Sequence, residues 1–391
     1  MTITLIGCGC GSLTEEAAAA IREAELLIGS PRLLKDHGTG KRCVEAVTAE
    51  AVAAALEAGQ TASACVLYSG DSGFYSGARL LLPHLTGQEV RLLPGISCLQ
   101  ALAARLGESW QDWRLCSAHG VDCDVVAEVC HGSPAFFLTG GRQSPEALCR
   151  QLCDAGLNFL RVTVGERLGT AEEAVFRSSA AEAASRQFAP LSVLLAEAAP
   201  VAPARSPGWP DVAFLRVEGV PMTKQEIRAA ALAKLGVGPE DTCWDIGAGT
   251  GSVGIELSML CRRVYGVERS KTALAAAEEN RRRLGAWKLR LIPGEAPEAF
   301  SDLPAPDAAF VGGSGGKLEA ILRAVHSANP KARICVSAVT LESLHNSISA
   351  LRALGYQTEV TQLSVSRSRG AGESTMMLAL NSVYLIVGCA P

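Results

Sequence analysis

The chain is short of aromatic residues, of net charge and of long apolar runs, and each shortage excludes something. Among its 391 residues no eighteen consecutive positions are apolar, so no helix is expected to span a bilayer and no membrane partner is expected. Only 5% of residues are aromatic and the net charge is −4. A nucleic-acid surface needs a basic stripe with exposed rings, so no nucleic-acid partner is expected either. The six histidines, His37, His84, His119, His131, His326 and His345, are scattered and form no His–Asp or Cys–His constellation. Only His119, in "SAHG", is a mild candidate, and a hydrogen-bonded loop histidine is the plainer reading. Of 14 cysteines, ten precede residue 154. Cys8-x-Cys10 and the pair Cys149 and Cys153 lack a second ligand pair, so no metal site is expected. The opening "MTITLIGCGCG" has no basic leader before its apolar run, which reads as a cytoplasmic protein with free thiols.

What is present points to two α/β domains. The chain is 48% hydrophobic and long for one core. A seam at residues 197–211, "EAAPVAPARSPGWPD", carries Pro200, Pro203, Pro207 and Pro210, which forbid a regular helix or central strand. The expected domains are 1–200 and 208–391, separable by protease at the seam. Before the seam, apolar runs such as "TITLIG", "ACVLYSGD", "AFFLTG" and "LSVLLAE" alternate with helical stretches such as "LTEEAAAAIREAELL". That alternation predicts a mainly parallel sheet covered on both faces, with ligands at the carboxyl ends of its strands. After the seam it returns with "TCWDIGAG", "VYGVE", "LRLIPGE", "DAAFVGG" and "RICVSAVT". The last strands, "TEVTQLSVSR" and "SVYLIVG", read as an antiparallel hairpin at one side of the sheet.

The stretch "DIGAGTGSVGIE" carries the clearest chemistry. Gly247, Gly249 and Gly251 follow a strand and lead into a helix, allowing a tight turn and close backbone approach to a ligand. The spacing is G-x-G-x-G, not the G-x-G-x-x-G of a dinucleotide site, and Asp245 stands two residues before the first glycine. A carboxylate there disfavours a pyrophosphate and favours a cofactor with a positive centre. Glu268 ends the next strand, placed to accept both ribose hydroxyls of an adenosine. Together these features resemble a class I S-adenosylmethionine (SAM) methyltransferase. Farther on, "DAAFVGGSGG" offers backbone N–H groups and no side-chain base. It reads either as an anion-binding nest or as a flexible connector.

"VPMTKQEIRAAALAKL", "DIGAGTG", "GEAPEAF", "FVGGSGG" and "SRSRGAGESTMMLALNSVYLI" resemble the decarboxylating corrin-ring methyltransferases of cobalamin biosynthesis. The resemblance implies a cofactor site of Thr223, Asp245, Gly247, Ala248, Gly249, Thr250, Gly251, Glu268, Glu295 and Ala296. It implies that Gly312, Gly313, Ser314, Arg367 and Arg369 handle the substrate, the arginines as clamps for its carboxylates. Solvated surface arginines are the other reading of that pair.

The first half resembles the tetrapyrrole methylase family, in its C-5 methylating branch, through "IGCGCGS", "IGSPRLL", "YSGDSGFYSGA", "PGISCLQALAARLG" and "VGERLGT". Gly7-Cys8-Gly9-Cys10-Gly11 stands where many members have G-x-G-P-G. The resemblance implies two α/β subdomains and a second SAM in the cleft between them, beside Gly7, Gly9, Gly70, Asp71, Ser72, Ser97 and Thr139. On the residues alone Asp71 can equally be a turn acid, and Cys8, Cys10 and Cys98 read as small packing thiols. The implied reaction is SAM-dependent methylation of a reduced tetrapyrrole, a precorrin, at C-5 and C-15, with loss of the ring C acetate carboxyl. It further implies two SAM sites per chain and a homo-oligomer, with a tetramer through the C-terminal domain as one form. The cobalt-containing substrate and an RNA methyltransferase are the alternatives within the enzyme class. A SAM-binding regulator and a nicotinamide dehydrogenase are the more distant ones.

Overall fold

The structure is a computed structural model, described over residues 2–10, 12–201, 207–372 and 374–390. The chain divides into two compact units, one of Met1–Val129 and Ser133–Ala198, the other of Cys130–Gly132 and Ala199–Pro391. Residues 202–206 of the proline-rich seam lie outside the described residues.

The first unit holds two five-stranded sheets. In chain order the first comprises β1 (Thr2–Cys8), α1 (Glu15–Glu23), β2 (Leu26–Gly29), α2 (Pro31–His37), β3 (Arg42–Glu45), α3 (Ala49–Gly59), β4 (Ser63–Ser69), α4 (Ala78–Leu81) and β5 (Glu89–Leu93). Its order is β3-β2-β4-β1-β5, and every pairing is parallel. Alternate residues of β1 point to opposite faces. Ile3 and Leu5 join one buried cluster with Leu26 and Val66, while Ile6 and Cys8 join another with Leu27 and Leu67. Apolar side chains on both faces are what a strand covered twice requires.

The second sheet follows α5 (Cys98–Leu106) and comprises β6 (Arg114–Ser117), α6 (Val125–Val129), β7 (Ala135–Leu138), α7 (Pro145–Asp154), β8 (Arg161–Glu166), β9 (Ala174–Ser179), α8 (Ala180–Ala184) and β10 (Ser192–Ala196), in the order β6-β7-β10-β8-β9. Only β6 and β7 run parallel; the other pairings are antiparallel. The expectation of a mainly parallel sheet therefore holds for the first sheet and not for the second. The cause is local: residues 167–173 link β8 to β9 with no crossover helix, and a short link can only return the chain antiparallel.

The second unit is one seven-stranded sheet with a separate hairpin. Its elements are α9 (Gln225–Leu235), β11 (Thr242–Ile246), α10 (Ser252–Ser258), β12 (Arg263–Glu268), α11 (Lys271–Arg283), β13 (Leu289–Pro293), β14 (Ala308–Val311), α12 (Leu318–Ala328), β15 (Arg333–Ala338), α13 (Leu341–Ala353), β16 (Gln357–Leu363), β17 (Ser366–Ala371), β18 (Ser374–Ala379) and β19 (Val383–Cys389). The order is β13-β12-β11-β14-β15-β19-β16; the first five strands are parallel and β19 runs against both neighbours. Along β11, Cys243 faces one core cluster, and Trp244 and Ile246 face the other. Trp244 is 1% exposed, donates from Nε1 to Pro304 O at 3.1 Å and packs 4.6 Å from the Phe300 ring. Truncation of such a core ring to alanine costs about 3–5 kcal/mol.

The closing strands pair antiparallel at the sheet's side as read from the sequence, with Thr358 opposite Gly388. They are not a simple hairpin, because β17 and β18 intervene and "TEVTQLSVSR" breaks into two strands. The residues of β18 are exposed along its whole length. A strand with no buried face carries no period-2 signal, so nothing in the sequence marks it. No helix among the described residues is long and apolar enough to cross a membrane.

Candidate functional site

In the second unit a cavity of about 280 Å³ opens at the carboxyl ends of β11, β12 and β14. Its floor is the glycine loop. Gly247, Gly249 and Gly251 have φ of +72°, +57° and +77°, the left-handed range that favours glycine. A Cβ on Gly247 would stand 2.6 Å from Gly313 O, so the two loops touch backbone to backbone. Asp245 is 1% exposed, and its Oδ2 accepts from Gly254 N at 2.7 Å. Burial pushes its carboxyl up to about 7, against the pull of that N–H and with a further push from Glu268. Glu268 accepts from Gly249 N at 2.9 Å through Oε2 and from Ser270 N at 2.8 Å through Oε1. Each oxygen keeps a second lone pair.

Thr223, Asp245, Gly247, Ala248, Gly249, Glu268, Glu295 and Ala296 all line this cavity; Thr250 and Gly251 do not. The Thr250 hydroxyl is buried with no hydrogen-bond partner among the described residues. Glu295 is bridged by Lys317 at 3.1 Å and Arg269 at 2.9 Å, which hold its carboxyl below the usual range. The segment carrying Thr223 is fixed by Arg228, a fully buried arginine. Its Nε donates to Glu256 Oε1, its Nη1 to Thr223 O and its Nη2 to Trp209 O, each at 2.5 Å. Glu256 also accepts from Gly208 N at 2.6 Å and Trp209 N at 2.9 Å. The sequence places Val220, Pro221, Met222 and Arg228 in the motif "VPMTKQEIR" but gives them no role; Val220, Pro221 and Met222 line the cavity beside Thr223.

Two expectations for the substrate side need correction. Gly312, Gly313 and Ser314 line the cavity, but Gly312 N and Gly313 N both point at Ile246 O, at 2.9 and 3.4 Å. Those two donors are spent within the fold, so an anion nest there has at most the N–H groups of residues 314–316. Arg367 is also committed. It donates to Asp211 Oδ2 at 2.9 Å and to Glu226 Oε1 at 3.1 Å and Oε2 at 2.5 Å, which raises its pKa. Neither Arg367 nor Arg369 lines the cavity. A guanidinium already gripping two carboxylates is a brace for its own fold, not an open clamp.

In the first unit a cavity of about 820 Å³ lies at the ends of β1, β4 and β7. Gly9, Gly70, Asp71, Ser97 and Thr139 line it; Gly7 and Ser72 stand behind it. A Cβ on Gly7 would lie 2.7 Å from both Gly70 O and Gly95 N, and one on Gly9 only 1.8 Å from Ile96 O. These glycines let three loops close on one another. The hydroxyls are engaged: Ser72 donates to Leu93 O at 3.2 Å, Thr139 donates to Ser192 O at 2.6 Å, and Ser97 caps α5 by accepting from Gln100 N at 3.2 Å. Asp71 closes a turn by accepting from Gly73 N at 3.1 Å. Burial pushes the Cys8 and Cys98 thiols up to about 12, so both are un-ionised near neutrality and behave as packing groups. His119 also lines this cavity, with Nδ1 3.2 Å from Thr139 O.

Both cavities open at strand ends rich in glycine. The second unit, with its parallel sheet closed by one antiparallel strand, its glycine loop and its two spaced acids, has the class I SAM methyltransferase fold. The chain matches two family models, Tetrapyrrole (Corrin/Porphyrin) Methylases over residues 2–184 and Precorrin methyltransferase domain over residues 214–387. It is 33% identical over 360 residues to a Sinorhizobium precorrin-6Y C(5,15)-methyltransferase [decarboxylating], covering 87% of this chain and 85% of that protein. It is 43% identical over 192 residues to a probable cobalt-precorrin-6B C(15)-methyltransferase (decarboxylating) of Pyrobaculum calidifontis, covering 48% of this chain and 98% of that one. A crystal structure of precorrin-6y C5,15-methyltransferase from Geobacter metallireducens matches at 36% identity and a TM-score of 0.45, over 48% of this chain and 100% of that chain. The protein is thus a SAM-dependent C-methyltransferase. More narrowly, the chain belongs to the decarboxylating precorrin-6Y C5,15-methyltransferase family.

Proposed function

We propose that each unit is a separate methylase with its own SAM, and that the chain adds methyl groups to a precorrin at C-5 in residues 1–200 and at C-15 in residues 208–391. The second unit also removes the ring C acetate carboxyl. The observation that carries this reading is the pair of strand-end cavities, one in each unit. The relative that spans only about half of this chain is named for C(15) methylation and decarboxylation alone, which supports the division of labour.

The acceptor carbons are enamine-like and already nucleophilic, so alignment and water exclusion do most of the work. Asp245 and Glu268 supply negative charge for a cationic, ribose-bearing donor in the second unit. The 312–316 loop forms the wall that the ring approaches. Carboxyl loss sends its electron pair into the conjugated imine of the substrate and needs no protein nucleophile.

The test gives the full chain SAM together with a metal-free or cobalt-loaded reduced tetrapyrrole. Mass spectrometry should show two added methyls and one lost carboxyl, and calorimetry should show two SAM per chain. A single SAM per chain overturns the two-site reading. The tetrapyrrole that turns over faster identifies the natural one. Met376, Met377 and Leu378 are exposed on β18, which supports self-association through the second unit, a tetramer included. Light scattering on the full chain tests it. The expected compartment is the cytoplasm, where the free thiols stay reduced.

A further inference from the structure

Methylation at C-5 leaves a proton to be removed. Once that carbon has taken a methyl it still carries its original hydrogen, and conjugation returns only when the hydrogen leaves. A base near the ring carbon is therefore needed.

His119 stands two residues beyond the end of β6, beside the end of β7, and lines the first cavity. Its ring is built into place. Nδ1 lies 3.2 Å from Thr139 O. A carbonyl only accepts, so Nδ1 carries the ring proton and Nε2 keeps a free lone pair. That carbonyl is itself fixed. The Thr139 hydroxyl is tied to Ser192 O at 2.6 Å, and Gly140 and Gln143 exchange two backbone hydrogen bonds of 3.1 Å. Residue 140 must also be glycine for the ring to sit there, since a Cβ would lie 2.0 Å from His119 Nδ1. Nε2 has no hydrogen-bond partner among the described residues. The other charged groups lining the cavity are Arg32, Asp36, His37, Asp71 and Arg167. None of them bonds to the His119 ring: Arg32 donates to Ser69 Oγ at 2.9 Å, Asp71 accepts from Gly73 N, and Arg167 pairs with Glu172. Tyr75 also lines the cavity, but its hydroxyl donates to Leu115 O at 2.9 Å.

We propose that His119 is a catalytic base of the first unit, whose Nε2 removes the C-5 proton after methyl transfer; this rests on the assignment of C-5 to that unit. The enamine pair of the ring forms the new carbon–carbon bond as the sulfur–methyl bond breaks, and that bond's pair stays on sulfur. The ring is left as an iminium cation. Nε2 then takes the C-5 hydrogen as a proton. The carbon–hydrogen pair re-forms the double bond and neutralises the iminium nitrogen. The imidazolium keeps its Nδ1–H on Thr139 O and passes the extra proton to water.

The experiment uses the full chain with His119→Asn, whose side-chain amide can still donate to Thr139 O but cannot act as a base. Formation of the neutral, reconjugated C-5-methylated ring, read by absorbance in a single turnover, should slow about 10²–10³-fold. SAM stoichiometry, methyl transfer at both carbons and carboxyl loss should be unchanged, so the early species carries both methyls and has lost its carboxyl but is still the C-5 iminium cation. Deuterium at C-5 should slow the variant more than the wild type, because proton removal becomes limiting. His119→Gly supplemented with imidazole should regain part of the rate, which a packing role does not predict. A rate of C-5 reconjugation within threefold of wild type, or loss of one bound SAM in His119→Asn, overturns the proposal. Gly9→Val, whose side chain collides with Ile96 O, serves as the control for the underlying assignment. If C-5 methylation survives Gly9→Val, C-5 belongs to another site and the role of His119 falls with it. If Gly9→Val abolishes C-5 methylation and His119→Asn leaves C-5 reconjugation at the wild-type rate, only the proposal for His119 falls.

Discussion

Gly247 and Gly313 touch each other in the second unit, yet substitution at the two should have opposite effects on the fold. An ideal Cβ on Gly313 meets nothing within 4 Å, and φ there is outside the left-handed range. Gly313→Val therefore needs no backbone shift, and it removes some freedom from the unfolded chain, a gain of about 0.4–1 kcal/mol for comparable changes. The net change in stability should stay within about 1 kcal/mol, or roughly 2–4 °C in melting temperature. Gly313 lines a cavity of only about 280 Å³. Gly247→Ala is different. Its φ of +72° costs a side chain about 1–2 kcal/mol. The new Cβ, 2.6 Å from Gly313 O, adds overpacking of about 1–3 kcal/mol. Three assays separate the outcomes: thermal melting, calorimetric SAM titration and product mass. Gly313→Val should melt near wild type, bind two SAM, and release a ring with one added methyl and its carboxyl intact. Gly247→Ala should melt lower and bind one SAM, giving the same product for a different reason. A Gly313→Val chain that still makes the doubly methylated, decarboxylated ring at near wild-type rate shows the 312–316 loop to be a connector. If it loses SAM as Gly247→Ala does, the loop holds cofactor and not substrate.

Three further outcomes follow from the same unit. Glu268→Ala should weaken SAM binding there by about 1.5–3 kcal/mol per charge-assisted hydrogen bond lost, less any rescue by water, while C-5 methylation survives; unchanged affinity by calorimetry points to another acid. The Asp245 carboxyl is raised from 3.8 to about 7 on folding, so its contribution to stability is complete below the lower value and is lost as pH rises to the higher. A cationic ligand favours the ionised form, so SAM affinity in the second unit should grow by at most about tenfold per pH unit across that window. Asp245→Asn should flatten both slopes, and a slope that persists in the variant assigns the proton to another group. Arg228→Met leaves Glu256 buried without its partner and should destabilise the second unit by about 3–5 kcal/mol, read as a drop in its melting transition. An unchanged transition means that Glu256 finds another donor.

That the residues expected at a cofactor in the second unit share one cavity was legible in the sequence, because their signals are local. A glycine loop states its own backbone angles, and an acid at the end of the next strand is placed by strand spacing alone. That is why Gly247, Gly249, Asp245 and Glu268 fall together in one cavity. The substrate side was not legible, because whether a polar group is free depends on partners that sequence distance hides. Arg367 reads as an open carboxylate clamp until Asp211, 156 positions away, and Glu226, 141 away, are brought to it. Gly312 and Gly313 read as spare donors until Ile246 O takes both. His119 reads the other way. In "SAHG" it looks like any loop histidine, and only Thr139 and Gly140, some twenty positions on, fix its tautomer and leave Nε2 unspent. A motif can therefore say where a ligand sits. It cannot say which side chains remain unsatisfied when the ligand arrives, and those are the ones with chemistry left to do.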